Sequence, residues 1–135
     1  RYGKVFGVSP AGIWATADRQ PMGAATTGSQ SYYEHFADSR KWVREGMVDY
    51  IAPQIYWEMG AEAGDFSVLL DWWSDTVADT DVDLYIGLAA YKSKEAQPGS
   101  VWYGESELQR QLEQRRAVAR QTVMQAAKKP SNTSL

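Results

Sequence analysis

The sequence predicts an α/β fold with three consecutive parallel β/α units, a C-terminal helix and a disordered tail, which together correspond to part of a (β/α)8 TIM barrel. Three short runs rich in β-forming residues, at positions 4–9, 50–57 and 84–91, predict strands. A segment with helical periodicity follows each run, and this order requires parallel strands with right-handed crossovers. Three such units leave one sheet face and both edges uncovered, and units of roughly 40 residues fit an eight-unit barrel.

Local signals predict where the helices begin and end. The segment 30–45 carries apolar residues at helical spacing, and Gly46 follows it where a C-cap glycine is expected. Asp65 is placed to cap a second helix, whose apolar residues follow i, i+3, i+4, i+7 spacing. A Ser-x-x-Gln capping box at Ser106 opens a third helix. The polar segment 128–135 then contains a helix-terminating proline and is expected to be disordered.

Length and composition limit the classes of protein. With 135 residues and 44% hydrophobic content, the chain is long enough for one core but not for two. We therefore expect residues 1–127 to form one partial barrel domain. The net charge of −3 gives no electrostatic reason to expect nucleic acid as a partner. No apolar stretch approaches the roughly 18 residues of a membrane span.

The residue types present argue against a metal site or a cofactor. The chain has no cysteine, which excludes disulfides and thiolate ligands, and His35 is its one histidine. His35 falls on a predicted helix, so we interpret it as a surface or packing residue. The long loop at 11–29 contains glycines but no strand–GxGxxG–helix or P-loop pattern. The sequence therefore predicts no cofactor. Loops as long as residues 11–29 are often functional for other reasons.

Alternation along the second predicted strand favours a barrel over an open sheet. One face carries the aliphatic or apolar residues Ile51, Pro53 and Ile55, which suit a helix layer. The opposite face mixes small and polar-tipped side chains: Tyr50, Ala52, Gln54 and Tyr56. Such a mixture is typical of a barrel interior whose upper end becomes a binding site.

One acidic residue lies directly at a predicted strand end. In parallel α/β proteins, ligands bind at the carboxyl ends of strands, where Glu58 lies, whereas Asp49 and Asp83 precede strands. Glycoside hydrolysis normally uses two carboxyl groups, about 5 Å apart for retention and roughly 6.5–9.5 Å apart for inversion. The sequence identifies no partner for Glu58, which is either a catalytic acid or a solvated loop acid.

Aromatic and polar side chains accompany Glu58 at the predicted strand ends. Sugar rings present apolar faces that pack on aromatic rings, so the aromatic residues favour a carbohydrate cleft, with core packing as the alternative for each. Gln54 either hydrogen-bonds a neighbouring strand or contacts substrate. Ser9 either contributes to the same site or only shapes a turn. Lys92 either contributes to that site or is solvated. The aromatic candidates are Trp14, Tyr56, Trp57, Tyr91 and Trp102.

Three segments, FGVSPAGIW, DYIAPQIYW and LYIGLAAYK, with the intervening SYYEHFADSRKWVREGMV, resemble the glycosyl hydrolase-like family 10 proteins of bacteria over about residues 3–112. The resemblance implies a (β/α)8 barrel, action on glycosidic bonds, and a secreted or lipoprotein location in the cell envelope. Glu58 fills a position where such proteins hold a polar residue. The resemblance carries over six strand-end residues of the family's cleft: Ser9, Trp14, Gln54, Tyr56, Trp57 and Tyr91.

Two departures from the family affect the functional hypothesis. The family's earlier strands, with an Asp-rich strand end, are absent, and the chain ends in RRAVARQTVMQAAKKPSNTSL where the family continues into a last strand. We therefore expect a fragment of a glycoside hydrolase for a polysaccharide or cell-wall glycan, with an incomplete active site and inactive alone. The alternatives are a non-catalytic carbohydrate-binding fragment and an inactive truncated gene product. The expected partner is carbohydrate, and the fragment expressed alone is expected to be able to oligomerise.

Overall fold

A parallel three-stranded sheet forms the centre of the chain. A computed structural model describes residues 3–128, and the side chains of residues 3–120. The strands are β1 (Gly7–Val8), β2 (Tyr50–Ile51) and β3 (Asp83–Leu84), in the order β1-β2-β3. Both pairings are parallel, which confirms the predicted α/β class. Single bridges at Gln54, to Ala11 and to Gly87, continue the same register beyond the strands.

Helices follow each strand, as the sequence predicts, but they are divided differently. The helices in the described part of the chain are α1 (Ser31–His35), α2 (Ser39–Arg44), α3 (Phe66–Val77), α4 (Ala90–Glu95) and α5 (Ser106–Lys128). The third helix begins at Ser106, where its capping box is predicted. Most of the predicted tail lies outside the described residues, and closure of the three strands into a barrel stays a prediction.

The prediction of one helix over residues 30–45 is wrong. The chain turns at Phe36, which has a left-handed φ of 52° and is 90% exposed. Beyond this turn Asp38 caps α2, because its carboxylate accepts the backbone N–H of Lys41 at 3.2 Å. Phe36 is one of the apolar residues at helical spacing in the segment 30–45, and this spacing predicts a core position. In the structure Phe36 instead ends α1. Gly46 has a φ of 64° just after α2, as its predicted capping role requires.

All three strands are shorter than predicted, since β1 and β2 each cover two residues of the predicted 4–9 and 50–57. Glu58 therefore lies in the loop after β2 rather than directly at its end. In β3, pairing ends at Leu84, apart from the bridge at Gly87, and residues 90–95 form α4. Tyr91 and Lys92 therefore lie on a short helix after the strand and not on the strand itself. Alanine and lysine in the segment AYKSKE favour a helix, and the N–H of Ala96 closes its last turn on the carbonyl of Lys92 at 2.9 Å.

The core lies between the sheet and α3. The predicted parity of β2 is confirmed, because Ile51, Pro53 and Ile55 are fully buried while Tyr50 and Gln54 on the other face are half-buried. The Asp65 cap is also confirmed, since its carboxylate accepts the N–H of Ser67 at 2.8 Å. The fully buried core side chains include Ile13, Val43, Phe66, Leu69, Leu70 and Trp73.

The long loop at 11–29 is fixed to the rest of the chain by hydrogen bonds. The side-chain oxygen of Gln30 accepts the N–H of Thr16 at 3.0 Å, and the N–H of Gly28 donates to the carbonyl of Ala63 at 2.8 Å. At the start of α1, hydrogen bonds from the Ser29 hydroxyl and the Gln30 N–H hold the pKa of Glu34 below its ordinary value. The loop therefore packs on the fold as an ordered segment.

Asp38 joins α2 to the loop, and its replacement tests both contacts. One oxygen of Asp38 accepts the Lys41 N–H and also the indole N–H of Trp14 at 3.0 Å, a ring that is only 5% exposed. Asp38→Ala is expected to lower the free energy of unfolding by about 2–3 kcal/mol, because it removes a helix cap and leaves a buried donor unpaired. Asp38→Asn keeps an acceptor oxygen and should lose less than half of that. Urea unfolding of both variants is the measurement, and equal losses would contradict this account.

Candidate active site

Ser9 and Gln54 form a hydrogen-bonded pair across the ends of β1 and β2. Nε2 of Gln54 donates to the carbonyl oxygen of Ser9 at 3.0 Å and lies 3.4 Å from the Ser9 hydroxyl oxygen. That hydroxyl in turn donates to the carbonyl of Ala52 at 2.7 Å. The two side chains therefore bond neighbouring strands, which satisfies polar groups near the sheet and fixes their positions.

Glu58 is held by a tryptophan from a distant part of the chain. The indole N–H of Trp102 donates to Oε2 of Glu58 at 3.0 Å. The Trp102 ring is 7% exposed, and Nζ of Lys92 lies 4.8 Å from its centroid. Lys92 also donates to the carbonyl of Tyr56 at 2.6 Å. Because these contacts join the loop after β2 to α4 and to the loop before α5, the carboxylate of Glu58 has a defined orientation.

Two tyrosines extend this arrangement along the surface. The rings of Tyr56 and Tyr91 pack edge to face, with centroids 6.2 Å apart, and Tyr91 is 51% exposed. Gly87 lies beside Gln54 and Tyr56, since a Cβ at Gly87 would be 3.4 Å from Cα of Gln54 and 3.6 Å from the Tyr56 ring. We call the seven residues brought to this end of the sheet the strand-end cluster: Ser9, Gln54, Tyr56, Glu58, Tyr91, Lys92 and Trp102.

The structure places Trp14 and Trp57 in packing contacts outside the strand-end cluster. Trp14 stacks on Trp72 with centroids 5.8 Å apart. The Trp57 ring fits against two glycines, because a Cβ at Gly64 would lie 2.7 Å from the ring and one at Gly12 would lie 3.2 Å from it. Both indoles therefore make packing contacts, and their contact with substrate stays a prediction.

Two buried polar residues near Glu58 were missed from the sequence. Glu107 and Gln111 lie one turn apart on α5, with exposures of 2% and 0%. Oε1 of Glu107 accepts the N–H of Met59 at 2.8 Å, and Nε2 of Gln111 donates to the carbonyl of Trp57 at 3.1 Å. Their i, i+4 spacing was the available signal, but polar residues at that spacing usually face water.

The described residues offer one carboxylate in the strand-end cluster, that of Glu58. Asp49 lies at the opposite end of the strand, where its carboxylate accepts the N–H of Phe6 at 2.8 Å. Within residues 3–128, no group of three or more acidic or histidine side chains is placed to hold a metal ion, and no helix is long and apolar enough to cross a bilayer.

Comparison with known proteins identifies the family. The family model described as glycosyl hydrolase-like 10 matches residues 3–103. The chain belongs to this family. It is 45% identical over 122 residues to "Glycosyl hydrolase DigH" of Escherichia coli (strain K12), which covers 86% of the chain and 27% of that relative. It is 51% identical over 88 residues to "Glycosyl hydrolase YngK" of Bacillus subtilis (strain 168), covering 64% of the chain and 17% of that relative. The chain therefore spans about a quarter or less of these relatives.

Deleting the Trp102 donor tests the contact with Glu58. Trp102→Phe keeps an aromatic ring beneath Lys92 but removes the N–H that Glu58 accepts. We expect a loss of about 1–2 kcal/mol in the free energy of unfolding, because a hydrogen bond to a half-buried carboxylate is removed and the smaller ring leaves a gap. Tyr103→Phe, at a 56% exposed neighbour, is the control and should change stability little. Equal stabilities of the two variants in urea would contradict the assigned contact.

Proposed function

We propose that this chain supplies part of the substrate cleft of a glycoside hydrolase acting on a polysaccharide or cell-wall glycan. The observation that carries the proposal is the orientation of Glu58 by Trp102 beside a surface formed by Tyr56 and Tyr91. This arrangement lies after the carboxyl ends of parallel strands, where α/β folds place their ligands. The names of the two relatives as glycosyl hydrolases support the same reaction class.

The two tyrosines give the surface an affinity for sugars. Tyr91 exposes about half of its area, and the edge-to-face contact with Tyr56 fixes its ring. A fixed ring can pack on the apolar face of a pyranose with little loss of side-chain entropy. Nearby hydroxyl, amide and ammonium groups of Ser9, Gln54 and Lys92 can orient sugar hydroxyls. The proposed role of the strand-end cluster is therefore to bind one or two sugar units beside Glu58.

Glu58 is the proposed acid or base of the reaction. As an acid it gives its proton to the glycosidic oxygen while the bond from the anomeric carbon breaks, and as a base it takes a proton from the attacking water. The Trp102 N–H holds one carboxylate oxygen, and the other oxygen is the proposed site of proton transfer. The reaction also needs a second carboxyl group, and we propose that it comes from β/α units outside the sequence of this chain.

A non-catalytic carbohydrate-binding role is the second candidate. The presence of one carboxylate in the strand-end cluster favours it, because binding requires the aromatic surface but not a carboxylate pair. The two roles differ in whether turnover accompanies binding. The secreted or cell-envelope location implied by the family resemblance stays a prediction, as does the proposed oligomer.

Replacement of Glu58 separates the two candidates. In a protein that contains this chain together with the remaining barrel units, Glu58→Gln should lower the rate of glycan hydrolysis by about 10²–10⁴-fold, because it removes proton transfer. Glycan affinity should stay within about twofold, since the amide keeps the size of the side chain. Release of reducing ends from purified peptidoglycan and soluble polysaccharides is the measurement.

Glu62→Gln, at an exposed acid of the same loop, is the matched control and should retain full activity. Binding with no turnover in the unchanged protein would favour the carbohydrate-binding role. Loss of activity in the Glu62 variant but not in the Glu58 variant would show that the acid has been assigned to the wrong residue.

Replacement of Tyr91 tests the sugar-binding surface on the 135-residue chain itself. Tyr91→Ala should weaken binding of a recognised oligosaccharide about 3- to 10-fold, because it removes one ring from the contact surface. Tyr103→Ala removes a ring of similar exposure outside the strand-end cluster and should leave affinity unchanged. A glycan array identifies the oligosaccharide, and calorimetric titration measures affinity. Failure of the chain to bind any glycan on the array would contradict the proposed surface.

A further inference from the structure

The pair Glu107 and Gln111 is unusual for its position on α5. Ten of the fifteen side chains described on this helix are polar and six of these are exposed, whereas these two are almost completely buried. Burial of a carboxylate is unfavourable unless hydrogen bonds and charges compensate for the lost water. Oε2 of Glu107 lies 3.3 Å from Nη1 of Arg110, and Nε2 of Gln111 donates to Oε1 of Glu107 at 2.8 Å. An apolar pair would pack there without these requirements, so Oε1 of Glu107 and Nε2 of Gln111 serve the groups they contact, while Oε1 of Gln111 is buried without a hydrogen-bond partner among the described residues.

Those groups are the two residues on either side of Glu58. Glu107 accepts the N–H of Met59, which follows Glu58, and Gln111 donates to the carbonyl of Trp57, which precedes it. The two side chains also bond each other, so they act as one unit. We call this unit the α5 clamp, defined by Glu107 and Gln111.

The α5 clamp connects two parts of the chain that are far apart in sequence. Bonds within its own β/α unit also hold the Glu58 loop: the carboxylate of Asp65 accepts the N–H of Gly60 at 2.9 Å, and the carbonyl of Glu58 accepts the N–H of Phe66 at 3.3 Å. Trp102 lies in the loop that leads into α5 and donates to the Glu58 side chain. The beginning of α5 and the loop before it therefore hold both the backbone and the carboxylate of Glu58.

We infer that Glu107 and Gln111 are positioning residues that set the direction of the Glu58 carboxylate by clamping the peptide groups on both sides of it. This inference rests on the proposed role of Glu58 in glycoside hydrolysis. Loss of either clamp contact frees one flanking peptide and moves the carboxylate relative to Trp102. A displacement of about 1 Å in a reacting group can lower a rate by roughly 100-fold, so the clamp acts on turnover more than on substrate affinity.

Nuclear magnetic resonance on the 135-residue chain tests the positioning directly. Each of the six tryptophans carries one indole N–H, and Trp102→Phe identifies the ¹⁵N–¹H signal of the one that donates to Glu58. That signal should shift in Glu58→Gln, which changes its acceptor. Glu107→Ala should also shift the Trp102 signal, because the Glu58 carboxylate moves. Glu107→Gln should restore its position, because its amide oxygen still accepts the Met59 N–H. Glu113→Ala, at an exposed position of α5, should leave it unchanged.

Kinetics in a protein with the remaining barrel units give the functional readout. Glu107→Ala should lower kcat for glycan hydrolysis about 10- to 100-fold with KM within about twofold, and Glu107→Gln should recover most of the rate. If Glu107→Ala fails to fold, Gln111→Met is the replacement test. Methionine has a similar length but cannot donate to the Trp57 carbonyl, so this variant should also shift the Trp102 signal.

The outcomes separate the two proposals. A Trp102 signal that keeps its position in folded Glu107→Ala, or in folded Gln111→Met, would overturn the clamp even if thermal stability falls. Full hydrolysis by Glu58→Gln would overturn the proposed function, while the resonance measurements would still decide whether the clamp sets the position of Glu58.

Discussion

Parallel pairing of β1, β2 and β3 places three carboxyl ends at one edge of the sheet, and the contacts of the strand-end cluster depend on this register. The pairing of Gly7 with Tyr50 and of Tyr50 with Asp83 continues through the bridges at Gln54. Residues 43 to 45 positions apart therefore meet by hydrogen bonds, from the Ser9 hydroxyl to the Ala52 carbonyl and from the Gln54 amide to the Ser9 carbonyl. A shift of one residue in β2 would turn Gln54 into the core and Ile55 out of it.

The packing of α3 fixes that register. Its buried stripe covers the face of β2 that carries Ile51 and Ile55, and the indole N–H of Trp73 donates to the carbonyl of Gly12 at 2.8 Å. Gly12 in turn lies against β2, because a Cβ there would be 2.6 Å from the carbonyl oxygen of Gln54. One helix thus holds the loop after β1 and the end of β2 together, which positions the backbone of the strand-end cluster.

Sequence signals found the elements whose evidence is local. The stripe of α3, the cap at Asp65 and the turn at Gly46 each depend on a few neighbouring residues, and all three are confirmed. The break at Phe36 was missed because apolar spacing alone does not distinguish a core residue from an exposed one in a left-handed turn. Placement of Glu58 in the loop after the carboxyl end of a strand followed from the topology, but its contact with Trp102 spans 44 residues and has no local signature.

The sheet face opposite the core carries a pair of packed tyrosines in the described part of the chain. Tyr50 and Tyr85 pack edge to face there, with centroids 5.6 Å apart, and Tyr85 is 58% exposed. The Tyr50 ring lies over Gly7, where a Cβ would be 2.3 Å from the ring, so the aromatic packing extends across β1. Parallel sheets normally bury both faces, and aromatic rings on a sheet face favour a covered interior over a solvent boundary. Further β/α units around this face would enclose the tyrosines below and leave the ends of the strands, with Glu58, at the mouth of the enclosed space.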